Sequence, residues 1–416
     1  MSAPVVVIGC GPAGLAAAVT LRRLAPEAPL VVLEAGQPLA DRDRDDPLAI
    51  AAGVGGAGLF SDGKFSFYPA ASALWTLGDE ADLRASYAAT TAWLRAAGLD
   101  APDFPEGRTA LPPTAPDGAG FKPYPSRGLE LDARKALIAR QMADLGDAVL
   151  LGARVEALEV EADHPRVHYV RDGARHTLDA TVIIGSGGRF FPLLAEHTPG
   201  VPMEFRRVEL GVRVEGPSGH PFFGELVEEG GSIDPKWIAP GPDGLSWRTF
   251  CCCVEGEMIP VEIGGHVLWS GRTDVPPTGR SNIGFNARFG DADAAPSLDS
   301  LPTGVRCEAL EFARVLTDPT LLAPSLGLRG AEVVAEGLAR LTDRFPSALA
   351  TAPEPLTLWG PTVEGVGRYP RTDPHLQVAD LPLFVAGDAT GRFRGLVAAM
   401  VSGAYVGHRV ARSWPR

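Results

Sequence analysis

The sequence has no stretch of 18 apolar residues, the length a membrane-spanning helix needs, so no membrane span is expected. It also has no run of basic residues. Its 38 Lys and Arg are outnumbered by 51 Asp and Glu, a formal net charge of −13. A chain this acidic is repelled by a phosphate backbone, which argues against nucleic acid as a partner. Cysteine is scarce: Cys10, Cys251, Cys252, Cys253 and Cys307. An odd set with three contiguous thiols is no disulfide framework; it fits a reducing compartment, and a cytoplasmic location is expected. No CxxC pair occurs, and no metal site is expected. The first apolar segment, Val5–Ile8, follows no basic region and runs into a glycine turn, so it is expected to be a strand rather than a signal peptide.

What is present starts with length. A chain of 416 residues is too long for one compact core, which implies two domains or one domain with a large insertion. With 49 Gly and 38 Pro, a loop-rich α/β or α+β protein is expected rather than a helical bundle. Val5–Ile8 and Leu30–Leu33 are continuous β-branched or apolar runs, as in buried parallel strands, and Ala13–Leu24 between them has helical spacing. The mixed stretch Asp41–Asp46 is expected to be a solvated loop. Residues 48–68 are glycine-rich, 79–97 are expected to be helical, and a Pro- and Gly-rich loop covers about 99–127. Leu129–Leu145 is a predicted amphipathic helix whose apolar set is Leu131, Ala136, Leu137, Ile138 and Met142.

Short strands are expected at 149–151, 155–161 and 166–171, with a hairpin turn at Asp172-Gly173. Thr181–Ile184 is another buried strand, ending in Gly185-Ser-Gly-Gly188. From about 205 to 290 the pattern alternates, as in Glu209–Val214 and Val261–Trp269, which predicts an antiparallel sheet. Helices are expected at 305–316 and 330–344, a last buried strand at Leu383–Ala386, and a final helix at 396–412.

Two motifs carry chemistry. The first is Gly9-Cys10-Gly11-Pro12-Ala13-Gly14, between a strand and a helix. Gly9 permits the tight turn, Gly11 lets the backbone approach a pyrophosphate, and Gly14 lets the helix pack close to the sheet. The free N–H groups and partial positive charge of the helix start suit that phosphate. Glu34, followed by Ala35, ends the second strand 20 residues after Gly14, where a carboxylate accepts from ribose hydroxyls and repels a 2′-phosphate. The second motif is Phe384-Val-Ala-Gly387-Asp388-Ala-Thr-Gly391, followed by Gly395-Leu396. A buried strand delivers Gly387-Asp388 to the strand end where ligands bind in such sheets, and Asp388 can accept from a ribityl-type polyol. The helix starting near Gly395 would turn its amides toward a flavin pyrimidine edge. A nicotinamide protein has no use for such an aspartate, so the pair of motifs points to FAD.

These segments together resemble the glutathione-reductase-like FAD superfamily. Three more stretches resemble a family of bacterial FAD-dependent dehydrogenases: Gly55-Gly-Ala-Gly-Leu-Phe-Ser-Asp-Gly-Lys64, Arg248-Thr-Phe-Cys-Cys-Cys253 and Gly360-Pro-Thr-Val-Glu-Gly-Val-Gly-Arg-Tyr-Pro370. The resemblance spans nearly the whole chain. It implies that Gly55, Gly56, Ser61, Asp62 and Lys64 lie along the flavin, that Val155 meets the adenine side, and that Gly185 sits where the FAD domain closes over the cofactor. Gly53-Val-Gly-Gly-Ala-Gly58 also spells GxGxxG, but it follows no clean strand and no acidic residue ends a second strand 20 residues on. The sequence therefore offers no separate NAD(P)H domain. Asp172-Gly173 is similar to the Asp-Gly of flavin aromatic hydroxylases, yet their His-Pro-Pro-Gly-Gln-Gly run is missing after Asp388. Cys251–Cys253 are expected to be buried structural thiols, because neighbours on a strand point to opposite faces and three cannot converge on one metal.

Candidate catalytic groups are Lys64, Arg272, Arg368, Tyr369 and Arg394, the arginines as clamps for a substrate carboxylate. The expected fold is α/β: a Rossmann-like FAD-binding domain with an inserted antiparallel-sheet α+β substrate domain. The FAD-binding segments are expected at 1–70, 125–205 and 355–416, a helical cap or insert at 71–124, and the substrate domain at 206–354. The expected chemistry is hydride removal from a small-molecule substrate onto flavin N5, with electrons passing on to oxygen or a redox partner. An ene- or imine-type reductase, a hydroxylase using NAD(P)H, and a non-catalytic flavoprotein are the alternatives.

Overall fold

The computed structural model describes residues 3–108, 118–263, 265–298, 301, 303–304 and 306–414. The chain divides into two compact units. The first comprises Met1–Arg108, Arg127–Glu204 and Arg368–Arg416; the second comprises Thr109–Ser126 and Phe205–Gly367.

At the centre of the first unit is a five-stranded parallel sheet. Its strands are β1 (Val5–Ile8), β2 (Leu30–Glu34), β3 (Val149–Leu151), β4 (Val182–Gly185) and β5 (Leu383–Val385), in the order β5-β4-β1-β2-β3. Val5, Val6, Val7, Ile183 and Ile184 are fully buried. Each such side chain contributes about 1.5–3 kcal/mol of burial, which is why these runs lack polar alternation. Helix α1 (Pro12–Leu24) connects β1 to β2, and Pro12 presets its first turn. It is crossed by α4 (Leu396–Ser413), where Gly403 and Gly407 stand against the Ala13 and Ala17 carbonyls. A Cβ at either glycine would strike that backbone, so the close crossing requires both.

Helix α2 (Glu80–Ala96) packs on α4 and buries Leu83, Tyr87 and Leu94. Its buried Asp82 faces Arg412, at 2.6 Å, and Arg409. The expected cap therefore contributes this helix to the first unit, as does the chain up to Arg108; residues 109–117 lie outside the described residues. Helix α3 (Leu131–Leu145) buries Arg134, Leu137, Ile138, Gln141 and Leu145. That face differs from the expected one: Leu131, Ala136 and Met142 are off it, and two polar residues are on it. A three-stranded antiparallel sheet of Arg154–Glu159, Arg166–Arg171 and Ala174–Asp179 follows. Its hairpin turns at Asp172 and Gly173, φ 51° and 75°, the two positive angles a tight two-residue turn needs.

The second unit carries a seven-stranded sheet. Its strands, in spatial order, are Cys307–Glu311, Thr357–Pro370, Met203–Pro217, Arg280–Phe289, Leu245–Cys253, Lys236–Pro240 and Gly120–Lys122. Helix Ala323–Arg344 buries Leu326, Val333, Val334, Leu338 and Leu341 in the same core as Leu210, Val212, Trp247 and Phe285. One local expectation fails here. The predicted helix at 305–316 is a strand, Cys307–Glu311, before a short helix, Phe312–Thr317, because Leu310 and Glu311 pair with Leu358 and Thr357 at the sheet edge. Val261–Trp269 is two strands, Glu257–Ile263 and His266–Arg272, folded back at Gly265, φ 81°. The same edge pairing holds residues 355–367 in the second unit, so the expected third segment of the dinucleotide fold starts later, at Arg368. Among the described residues, no helix is long and apolar enough to cross a membrane.

Candidate functional site

The site is built at the carboxyl ends of the parallel strands, where the strand order reverses about β1. Gly9 takes φ 98°, and a Cβ there would press on the Ser186–Gly187 backbone. At Gly14 a Cβ would run into the Gly9 carbonyl and come within 2.6 Å of Ser186 Oγ. Gly11 caps α1 without any side-chain hydrogen bond, and the first turn has no acidic residue. The amides of Ala13 and Gly14 are therefore at a helix start with a positive end that no side chain caps.

The glycine-rich loop after β2 folds over this turn. Gly55 N–H donates to the Cys10 carbonyl at 2.8 Å, and Gly56 stands so close to Gly11 that a Cβ would be 2.9 Å from its Cα. Gly58 lies between Pro12 and Leu396. Leu396 opens α4, whose Gly395 cap, φ 96°, also lacks a side-chain hydrogen bond. The second motif is joined to the first at Gly387, φ 69°, where a Cβ would be 2.8 Å from that of Ala13. Gly387 N–H donates to Ser402 Oγ at 3.0 Å. This seats Asp388: its Oδ2 lies 3.5 Å from Arg189 Nε, while its Oδ1 is buried and has no hydrogen-bond partner among the described residues. A buried carboxylate oxygen without a donor is costly, so the site suits a ligand that brings one.

Glu34 is 5% exposed and does more than the sequence suggests. Its Oε2 accepts from Cys10 N at 2.7 Å, and its Oε1 accepts from Gly36 N at 2.8 Å and Gly53 N at 3.0 Å. One carboxylate thus ties the first glycine turn to the start of the loop; Oε2, with one donor, keeps acceptor capacity. Ala35 is exposed beside it. Val155 is half-buried in the strand that begins just after Ala153, whose N–H donates to the Glu34 carbonyl at 2.8 Å. Burial pushes the Cys10 thiol well up, helped by the Glu34 charge.

Arg42 was hidden in the stretch expected to be solvated. It is 7% exposed and donates to the carbonyls of Ala49, Ile50, Val54 and Gly56, holding the loop in shape. Burial brings its pKa down to about 10, partly offset by Glu34. Arg134 is equally buried and donates to the carbonyls of Leu59 and Ser61. A signal for it existed: Arg134 and Gln141 share the helical register of Leu137, Ile138 and Leu145. Gln141 and Arg134 also line a pocket with Pro12, Gly58, Phe65 and Met400.

The other candidates separate. Ser61 donates to the Gly58 carbonyl at 2.9 Å, and Lys64 pairs with Asp62 at 3.2 Å. Arg394 is half-buried in the loop before α4. Gly185 makes room for the Phe191 ring. Tyr369 is 1% exposed, with its ring against Gly391. Arg368 is mostly exposed and 3.7 Å from Glu196. Arg272 belongs to the second unit and is paired with Glu257 at 2.5 Å. In that unit the fully buried Glu209 gathers Arg248 at 2.9 Å, Arg207 at 3.2 Å and Arg288 at 3.7 Å. Burial lowers the Lys122 pKa, and Arg248, Arg288 and Lys236 lower it further. Of the three thiols, Cys252 and Cys253 are buried as expected and Cys251 is half-buried; at a bulge the Cys251 and Cys253 sulfurs come within 3.8 Å.

No family model and no curated protein matches the sequence. Among solved structures, CtdE in complex with FAD is similar at 13% identity and TM-score 0.42, over 100% of this chain and 86% of that one. A ternary complex of aklavinone-11 hydroxylase with FAD and aklavinone is similar at 13% identity and TM-score 0.45, over 99% of this chain and 62% of that one. OxyS anhydrotetracycline hydroxylase from Streptomyces rimosus is similar at 15% identity and TM-score 0.39, over 100% of this chain and 64% of that one. Likeness this distant carries no argument about chemistry.

Proposed function

We propose that the first unit holds FAD and that the chain is a flavin-dependent oxidoreductase, a dehydrogenase or oxidase of a small molecule. The bacterial FAD-dependent dehydrogenases of the glutathione-reductase-like superfamily are the family its motifs favour. The observation that carries this reading is the seat of Asp388: Gly387 packs on Ala13, and a buried Asp388 oxygen has no hydrogen-bond partner among the described residues. A polyol hydroxyl supplies the donor that Asp388 lacks, and a diphosphate suits the Ala13 and Gly14 amides. In the sheet order, β2 and β5 are three strand spacings apart, about 14 Å at roughly 4.8 Å each. Glu34 and Asp388 at those strand ends are spaced for the two sugar-like arms of one extended dinucleotide.

When bound, FAD supplies two-electron chemistry, taking a hydride equivalent from a C–H next to nitrogen or oxygen or across a C–C bond. The chain's own part is to position and to stabilise charge. Arg189 fixes the Asp388 carboxylate, and the uncapped start of α4 favours negative charge on a ligand edge. Lys64, paired with Asp62, and Arg394, in the loop before α4, are the first-unit candidates for charge stabilisation; Arg272, Arg368 and Tyr369 are given no such role.

The test begins with a spectrum. Purified protein is expected to carry FAD that is released on denaturation, and Asp388→Asn is expected to weaken its retention about tenfold, the worth of one charged hydrogen bond. Anaerobic mixing with acidic amines and hydroxy acids is expected to bleach the flavin. Bleaching by NADH or NADPH instead identifies a reductase, and oxygen found in the product a hydroxylase. A flavin that no reductant changes identifies a non-catalytic flavoprotein. Protein that neither carries nor binds FAD overturns the reading.

A further inference from the structure

The thiols of the second unit remain unexplained by a flavin site in the first. Strand Leu245–Cys253 runs antiparallel to Arg280–Phe289 in register from Leu245↔Phe289 to Phe250↔Gly284, and the next pair is Cys253↔Asn282. One extra residue has entered this edge, and Cys251 takes the left-handed conformation, φ 48°, that non-glycine residues avoid. Both sides of the bulge are pinned. Arg213, 1% exposed, donates from Nη2 to the Cys251 carbonyl at 2.8 Å, and the Cys252 N–H donates to Asp234 Oδ1 at 3.0 Å. Strain held in place by buried charged groups marks a position shaped for use.

What the bulge achieves is a meeting of sulfurs. Cys251 Sγ and Cys253 Sγ are 3.8 Å apart, and Arg213 Nη2 is 3.7 Å from Cys253 Sγ. Gly271 borders the group; a Cβ there would collide with the Arg213 guanidinium and with Asn282. Cys251 is partly buried, whereas Cys252 and Cys253 are buried. Cys10 and Cys307 are buried elsewhere, and burial raises both thiols.

We propose that Cys251 and Cys253 are a redox-active dithiol, which closes to an intrachain disulfide by exchange with a low-molecular-weight disulfide of the glutathione class. Cys251, the less buried of the two, attacks the small disulfide as its thiolate; a mixed disulfide forms, the small S–S bond breaks, and the departing thiolate takes up the proton that Cys251 gave up. Cys253, whose sulfur Arg213 Nη2 approaches at 3.7 Å, gives up its proton and then attacks the Cys251 sulfur. The Cys251–Cys253 bond forms, and the second small thiolate leaves and takes the Cys253 proton. The pair loses two electrons and two protons, and the small disulfide gains both as two thiols. The proposal is independent of the flavin reading.

The test uses the full chain, folded, treated with oxidised glutathione, then denatured and alkylated. Wild type is expected to lose two of its five alkylatable thiols, with the bond mapped to Cys251 and Cys253 in the peptide Thr249–Arg272. Cys252→Ser is expected to behave as wild type. Cys253→Ser is expected to stop at a glutathione adduct on Cys251, and Cys251→Ser to show neither bond nor adduct; circular dichroism checks that each variant is folded. The proposal is overturned if wild type keeps all five thiols, if it stops at an adduct, or if Cys251→Ser closes a Cys252–Cys253 bond as readily.

Discussion

Glycine does different work in the two units. In the first, Gly9, Gly14, Gly56 and Gly387 bring backbone against backbone or against Ala13, so that two helix starts and a loop gather closely. In the second, Gly284 makes room for the Phe250 ring and Gly337 for the Trp247 indole, and both spaces are filled by the unit's own core. The first pattern leaves room for a molecule from outside the chain; the second completes a hydrophobic interior. A glycine count alone does not separate them.

Three substitutions sharpen this contrast, and the largest effect is expected in the first unit. Arg42→Met removes a donor from the carbonyls of Ala49, Ile50, Val54 and Gly56, of which Gly56 keeps the Leu59 N–H at 3.2 Å. The expected loss is about 3 kcal/mol, since each buried acceptor left unmade costs on the order of 1 kcal/mol or more. A urea melt reads it, and flavin retention is expected to fall with it. Arg42→Lys is not expected to rescue, because one ammonium cannot reach four carbonyls in a fork. If the melt is unchanged, the loop does not depend on Arg42.

Gly337→Ala probes the second unit. Alanine raises helix propensity by about 1 kcal/mol, but overpacking a core costs about 1–3 kcal/mol. Overpacking is expected to win, because Trp247 is fully buried and its Nε1 is held by the Val333 carbonyl at 2.8 Å. The melting temperature should drop while FAD bound per folded chain stays constant. A rise in melting temperature would mean that the indole can move aside.

The smallest effect concerns His408 on α4. Burial depresses its pKa, against a raising influence from Asp82 and with a further lowering one from Arg412. Below about pH 6.5 the unfolded chain binds a proton that the folded chain resists, so stability is present above that pH and is lost as pH falls from there toward the folded pKa. His408→Gln should flatten the melting temperature between about pH 7.5 and about pH 5.5. An unchanged slope would assign the acid sensitivity to other groups.

Much of the first unit was legible because its signals are local. The run Val5–Ile8, the turn Gly9–Gly14 and the residue Glu34 specify strand, turn, helix and strand within one short stretch, and all four are found. Arg42 was illegible for the opposite reason: a charged residue among charged neighbours reads as solvated, and only the loop folding over it supplies the carbonyls that make its burial tolerable. The strand Cys307–Glu311 was mistaken for helix because its partner, Leu358, comes from far along the chain.

Residue order by itself determined the parallel-strand unit, the glycine turns and the acidic residues at two strand ends, since backbone freedom and hydrophobic period are written into neighbouring positions. Tertiary structure alone decided that Gly387 rests on Ala13, that Asp388 keeps an oxygen without a donor, and that Cys251 meets Cys253 across a bulge. Those facts depend on distant segments excluding water and sharing space, and no local pattern encodes them.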